Sequence, residues 1–207
     1  MKDPQGSPVQ GGTRWRRFAA LFVPSAALAG AVVFGMANGA IAASFDVSGD
    51  TFKVAASKLE GTGFEQYGGV VKEKDGTLHA VAVSEIQRAD IHDLCQSVKQ
   101  TAPLIGTVVL RIEAGGGGTP ASAQNLLIDM AALDGNATFT NIQIGRDAAD
   151  LGGMSGFFGQ DADGVTITDL KQVAWSTSAG TFNLTGLKLR LHVGDSATSH
   201  ECFADLD

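Results

Sequence analysis

Thr185-Gly186-Leu187-Lys188-Leu189-Arg190-Leu191-His192-Val193 alternates apolar and polar side chains without a break from Leu187 onward. Successive side chains of a strand point to opposite faces, so this stretch reads as a strand with one oily face. The same period of two recurs in Phe45-Asp-Val-Ser, Thr51-Phe-Lys-Val-Ala and Leu78-His-Ala-Val-Ala-Val. It recurs again in Gly106-Thr-Val-Val-Leu-Arg-Ile-Glu, Asn125-Leu-Leu-Ile-Asp-Met, Ala137-Thr-Phe-Thr-Asn-Ile-Gln-Ile and Gly164-Val-Thr-Ile-Thr-Asp-Leu. About eight or more strands follow, separated by turn signals at Asp75-Gly76, Asp134-Gly135-Asn136 and Asp163-Gly164. Residues 115–120 and 152–159 are glycine-rich and read as loops. The one helix the spacing predicts covers residues 88–100, where Ile91, Leu94, Cys95 and Val98 recur three and four apart. The fold class is therefore mainly β: an antiparallel β-sandwich, or a β-solenoid-like sheet. The solenoid alternative draws on Thr-Phe pairs ending at Phe52, Phe139 and Phe182, which a degenerate repeat would place at equivalent positions.

Ahead of the strands lies an uncharged apolar run, residues 18–43, directly behind Arg14, Trp15, Arg16 and Arg17. A helix of about twenty such residues spans a hydrocarbon core, and the basic flank stays on the cytoplasmic side. Two readings stand: a signal peptide cleaved after the small-residue site Ala40-Ile41-Ala42, or an uncleaved signal-anchor helix. Three segments follow: a basic disordered leader over 1–17, the signal or anchor over 18–43, and an exported β-rich domain over 44–207. The expected location is the cell membrane with an extracytoplasmic domain, or the exterior after cleavage near Ala42.

Residues 1–43 hold four of the 15 basic and one of the 22 acidic residues, which leaves the remainder at 11 basic, 21 acidic and a net charge of −10. Such a surface repels phosphate backbones, so nucleic acid is excluded as a partner, and anionic lipid headgroups are disfavoured. Cys95 and Cys202 are the only cysteines. In an oxidising compartment they are expected to pair with each other; a buried thiol or an interchain bond is the alternative.

Catalytic and metal motifs are thin. The chain holds no Gly-x-Ser-x-Gly elbow. Gly194-Asp195-Ser196, followed by His200, is the nearest approach to a hydrolase signature, with Ser155 and His192 as further candidates. Asp161, Asp163 and Asp169, with Asp147 and Asp150 upstream, form an acidic run of the hard-oxygen type that calcium takes, without the EF-hand spacing. No cofactor motif is present. Phe139, Trp175 and Phe182, with Phe157 and Phe158, are the aromatics that would line an apolar cavity between sheets.

Leu94-Cys95-Gln96-Ser97-Val98, Leu110-Arg-Ile-Glu-Ala-Gly115 and Ala137-Thr-Phe-Thr-Asn-Ile-Gln-Ile-Gly-Arg-Asp147 resemble an actinobacterial family of unknown function whose members often carry the label "cholesterol esterase". The likeness runs through nearly the whole chain, including the apolar segment. It implies an envelope or secreted protein and brings no catalytic residues with it. The functional expectation is a non-enzymatic envelope or secreted protein that binds an apolar small molecule or lipid. Its partners would be the membrane, through an uncleaved N-terminal helix, and an envelope protein. A secreted ester hydrolase and a purely structural surface protein are the alternatives.

Overall fold

The computed structural model describes residues 46–204 and 206. The leader and the signal or anchor segment lie outside these residues. Among the described residues no helix is long and apolar enough to cross a membrane.

Among the described residues ten strands form one sheet: β1 Asp46–Val47, β2 Phe52–Glu73, β3 Leu78–His92, β4 Leu94–Ala102, β5 Gly106–Ala114, β6 Ala121–Thr140, β7 Gln143–Asp147, β8 Phe158–Ser178, β9 Thr181–Asn183 and β10 Lys188–Val193. Every pairing is antiparallel except that of β1 with β2. β3 and β4 continue one another along the same edge of β2: Leu59 pairs with Ile91 and Ala55 with Cys95, in one unbroken register. The other edge of β2 pairs with β8, from Phe52 opposite Ala174 to Ala56 opposite Leu170. Since β3 pairs with β6 and β6 with β8, the ladder β2-β3-β6-β8 closes on itself. The result is a small barrel, rather than two facing sheets or a stack of repeats. Phe52, Phe139 and Phe182 do share one environment, partly buried against the barrel core, but they sit on different edges of it and not in stacked rungs.

Long strands serve both a barrel interior and an outer cluster because they change face. In β2 the inward positions run Ala56, Leu59, Phe64, and in β3 they run Ile86, Ala89, Ile91. The steps of three fall where Gly63 (φ 65°) opposes Gln87, and where Asp93 (φ 51°) separates β3 from β4. A residue in the left-handed region there turns the strand over and exchanges the two faces while the pairing stays one to one. Ser57 Oγ donates to Asp93 Oδ2 at 2.6 Å and holds the second of these kinks.

This explains why the expected helix at 88–100 is absent. Its i, i+3 spacing of Ile91, Leu94, Cys95 and Val98 is a strand period interrupted at Asp93, and these residues lie in β3 and β4. Asp134-Gly135 and Asp163-Gly164 likewise do not reverse the chain. Both sit inside the long strands β6 and β8, where the ladder continues on either side of a bulge between Asp134 and Asn136. Asp75-Gly76 does turn the chain, Gly76 N–H donating to the Glu73 carbonyl at 2.9 Å.

The interior holds Leu59, Phe64, Ile86, Leu126, Ile167 and Leu170 among others. An outer cluster of Tyr67, Val71, Val81 and Val83 is covered by a 3-10 turn, Ala148–Leu151. That turn is capped by Asp147, whose carboxylate accepts from the Ala149 and Gly156 N–H groups, and these bonds hold its pKa below the usual range. β10, β5 and β4 extend beyond the barrel as a three-stranded wing.

Candidate functional site

The wing and barrel share a face. Val54, Gln96, Ile112 and Leu189 lie opposite one another across β2, β4, β5 and β10, as do Phe52, Val98, Leu110 and Leu191. Cross-strand partners project from one side of a sheet, and on β2 this is the side that enters the barrel. The opposite side carries the rows Lys53, Ser97, Arg111, Arg190 and Ala55, Cys95, Glu113, Lys188.

The C-terminal tail covers that polar side. Cys202 is bonded to Cys95, as expected. Its N–H donates to Ser97 Oγ at 3.0 Å, and Arg111 Nη1 donates to the His200 carbonyl at 3.2 Å. Glu201 bridges Lys53 at 3.1 Å and Lys99 at 3.5 Å. The imidazoles of His192 and His200 stack 3.6 Å apart; partial burial, then the charges of His200, Arg111 and Arg190, push the His192 pKa down.

Ser196 lies in the approach to the 3-10 turn Ala197–His200, with its carbonyl accepting from Ser199 Oγ. Among the described residues its hydroxyl meets no imidazole, and the His200 ring is taken up by His192. Ser155 is exposed in a loop and has no hydrogen-bonded base either. A nucleophile needs a base within hydrogen-bond reach, and neither serine has one.

The acidic residues of β8 do not converge. Asp161 pairs with Arg146 at 3.2 Å, Asp163 accepts from Asn141 Nδ2 at 2.7 Å, and Asp169 accepts from Asn136 Nδ2 at 3.2 Å. Among the described residues no cluster of His, Cys, Asp or Glu gathers in a metal-binding arrangement.

The aromatics divide. Phe139 and Phe182 line two adjoining cavities inside the barrel. Trp175 stacks on His79 at 3.9 Å in the outer cluster instead, because a register slip between β6 and β8 near Met130 changes its face. Phe157 and Phe158 are exposed.

The larger cavity, about 80 Å³, is bounded by Phe64, Ile86, Met130, Phe139 and Ile167. The smaller, about 30 Å³, is lined by Val54, Gln96, Thr177 and Phe182 among others. Leu59, Ile128, Leu170 and Gln172 border both. Two polar side chains of the larger cavity are satisfied: Gln66 donates to Ser84 Oγ at 2.9 Å and accepts from Gln160 Nε2 at 2.7 Å. Gln172 is different. It is 3 % exposed, borders both cavities, and its amide makes no hydrogen bond to any described residue. Its amide atoms keep access to the cavity space: among the described residues the one fully enclosed side-chain atom without a partner is Asp161 Oδ1, so Gln172 is a polar group of the cavity walls left free for a ligand or water. The sequence signal for it is slight: a glutamine two residues from both Leu170 and Ala174 occupies an inward position in the alternation.

A model for a family of unknown function (DUF6230) matches residues 48–203. The chain belongs to this family. No curated protein and no solved structure matches it. The matched residues take in the barrel, the wing and both cysteines of the disulfide.

Proposed function

We propose that this member of the family is a non-catalytic binding protein of the cell envelope or exterior, whose barrel holds a slender apolar molecule, such as the end of an acyl chain, against Gln172. The unpaired Gln172 amide between two apolar cavities carries the reading. Ligand sites are mostly apolar with a few placed polar groups, and a ligand hydroxyl or carbonyl would supply the missing partner. The dimensions favour a narrow ligand: an apolar cavity of about 150 Å³ takes a single benzene, and the larger cavity here is about 80 Å³. A sterol's fused rings exceed that room, and with no serine poised beside a base, the "cholesterol esterase" label of similar chains finds no support in the site.

The test is native mass spectrometry of the full chain, purified gently from the envelope and medium of cells that produce it. A bound apolar mass in the parent, lost in Gln172→Leu while the far-ultraviolet spectrum is unchanged, is the expected result. Parent protein that carries no adduct would sink the proposal.

A further inference from the structure

The wing ends in an apolar point. Between β4 and β5 the chain turns through Ala102, Pro103, Leu104 and Ile105, with Ile105 N–H donating to the Ala102 carbonyl at 3.3 Å. Leu104 has φ 70° at the third position of this turn. With proline at the second position, the third normally belongs to glycine, because a side chain is strained there. The side chain held in this strained place is 107 % exposed, and Ile105 beside it is 58 % exposed. Behind the tip, Leu187, Leu189, Leu191 and Val193 are each more than half exposed, and the last three share the apolar side of the wing with Val108, Leu110 and Ile112.

Charge divides the two faces of the same element. The chain's net charge is −7, yet β4, β5 and β10 carry Lys99, Arg111, Lys188 and Arg190 against Glu113 alone. Arg111 and Arg190 share Glu113. The tail brings Glu201 to Lys99 as well, so these cations are held on the tail-covered side and the apolar side of the wing carries no charge.

A second copy of the chain fits this face poorly. Three strands about 4.8 Å apart and about nine residues long offer roughly 400 Å², half of the roughly 800 Å² per partner that a standard interface buries. A flat sheet would also leave the protruding tip uncovered, whereas a fluid hydrocarbon phase accommodates it. The sequence supplies such a phase: residues 1–45 precede β1 and include the uncharged, bilayer-length run 18–43 behind three arginines.

We propose that the β4–β5 tip and the apolar side of the wing dock on a lipid bilayer, Leu104 and Ile105 entering the acyl region while the cations and the C-terminal tail stay on the opposite, water-facing side. An apolar face on one side with a charged face turned to water on the other is the chemistry of interfacial binding. This inference rests on the membrane-associated half of the preceding reading and is independent of the barrel ligand.

The experiment uses the full chain reconstituted in phosphatidylcholine vesicles that carry a photoactivatable diazirine in the acyl chain, with adducts mapped by peptide mass spectrometry. Adducts in both 18–43 and 101–107 are expected. Adducts confined to 18–43 would overturn docking by the tip and leave the tether standing; adducts in neither would overturn both. Leu104→Gly separates function from folding, since glycine suits φ 70°. Its melting midpoint is expected to rise while tip labelling falls about tenfold, the loss expected for one leucine's transfer. A lower midpoint, or unchanged tip labelling, would make Leu104 merely structural.

Discussion

Replacing both Cys95 and Cys202 by serine tests how the tail stabilises the wing. The bond joins residues 107 apart in sequence, and closing a loop of that length removes denatured-state entropy equivalent to about 5 kcal/mol at 25 °C. For a domain of this size each kcal/mol shifts the melting midpoint by about 2–4 °C, so a fall of about 10–20 °C is expected. The native state should change little. Glu201 still bridges Lys53 and Lys99, Arg111 still reaches the His200 carbonyl, and Ser97 still accepts from the backbone at 202. Urea titration of parent and double variant, with hydrogen exchange at the fully buried Val109, reads the two effects separately. Loss of most of the 5 kcal/mol with Val109 still protected is the expected pattern. A loss under about 1 kcal/mol would refute the argument, because it would mean that the open chain is no less restricted than the closed one.

Two further perturbations address the turns and the charges. Gly115→Ala should cost at least about 3 kcal/mol in urea titration, because at φ 72° its Cβ would lie 2.5 Å from the Ile91 carbonyl oxygen and 2.6 Å from the Ala121 nitrogen. Gly118→Ala, at φ 90° with open space around it, should cost only the backbone strain of about 1–2 kcal/mol; equal losses would show that the clash is relieved. Burial, then the neighbouring Glu85 and Asp161 carboxylates, raise the Glu65 pKa. The folded chain therefore holds that proton more tightly than the unfolded chain, and stability falls as pH climbs through the glutamate range. Glu65→Gln should melt above the parent at pH 7 and level with it below about pH 4; the same difference at both pH values would refute the assignment.

Much of the β character was legible in single segments. Leu187-Lys-Leu-Arg-Leu-His-Val and Thr107-Val-Val-Leu-Arg-Ile alternate because each strand gathers its apolar side chains on one side of the sheet, a condition that leaves its mark residue by residue. The false helix at 88–100 arose from the same logic. A kink at Asp93 converts a period of two into steps of three, and only the pairing of β2 with β3 and β4 reveals that the two faces have been exchanged. Asp134-Gly135 misled in the same way, since a glycine with positive φ serves a bulge as readily as a turn, and which one forms depends on whether a partner strand continues past it.

The sequence by itself determined the mainly β class and the uneven distribution of its charge, because these follow from side-chain type and local spacing. It made the Cys95–Cys202 bond the expected pairing, and the tertiary structure closed it. Tertiary structure alone decided that the sheet closes into a barrel, that Phe139 and Phe182 face inward while Trp175 faces out, and that Gln172 meets two cavities without a partner. Those facts depend on register between strands far apart in the chain, and a shift of one residue sends every side chain of a strand to the other face. No pattern within a segment records that choice. The exposed Leu104 belongs to both accounts: proline followed by leucine is plain in the sequence, but only the turn's positive φ shows that a position suited to glycine has been given to an apolar side chain.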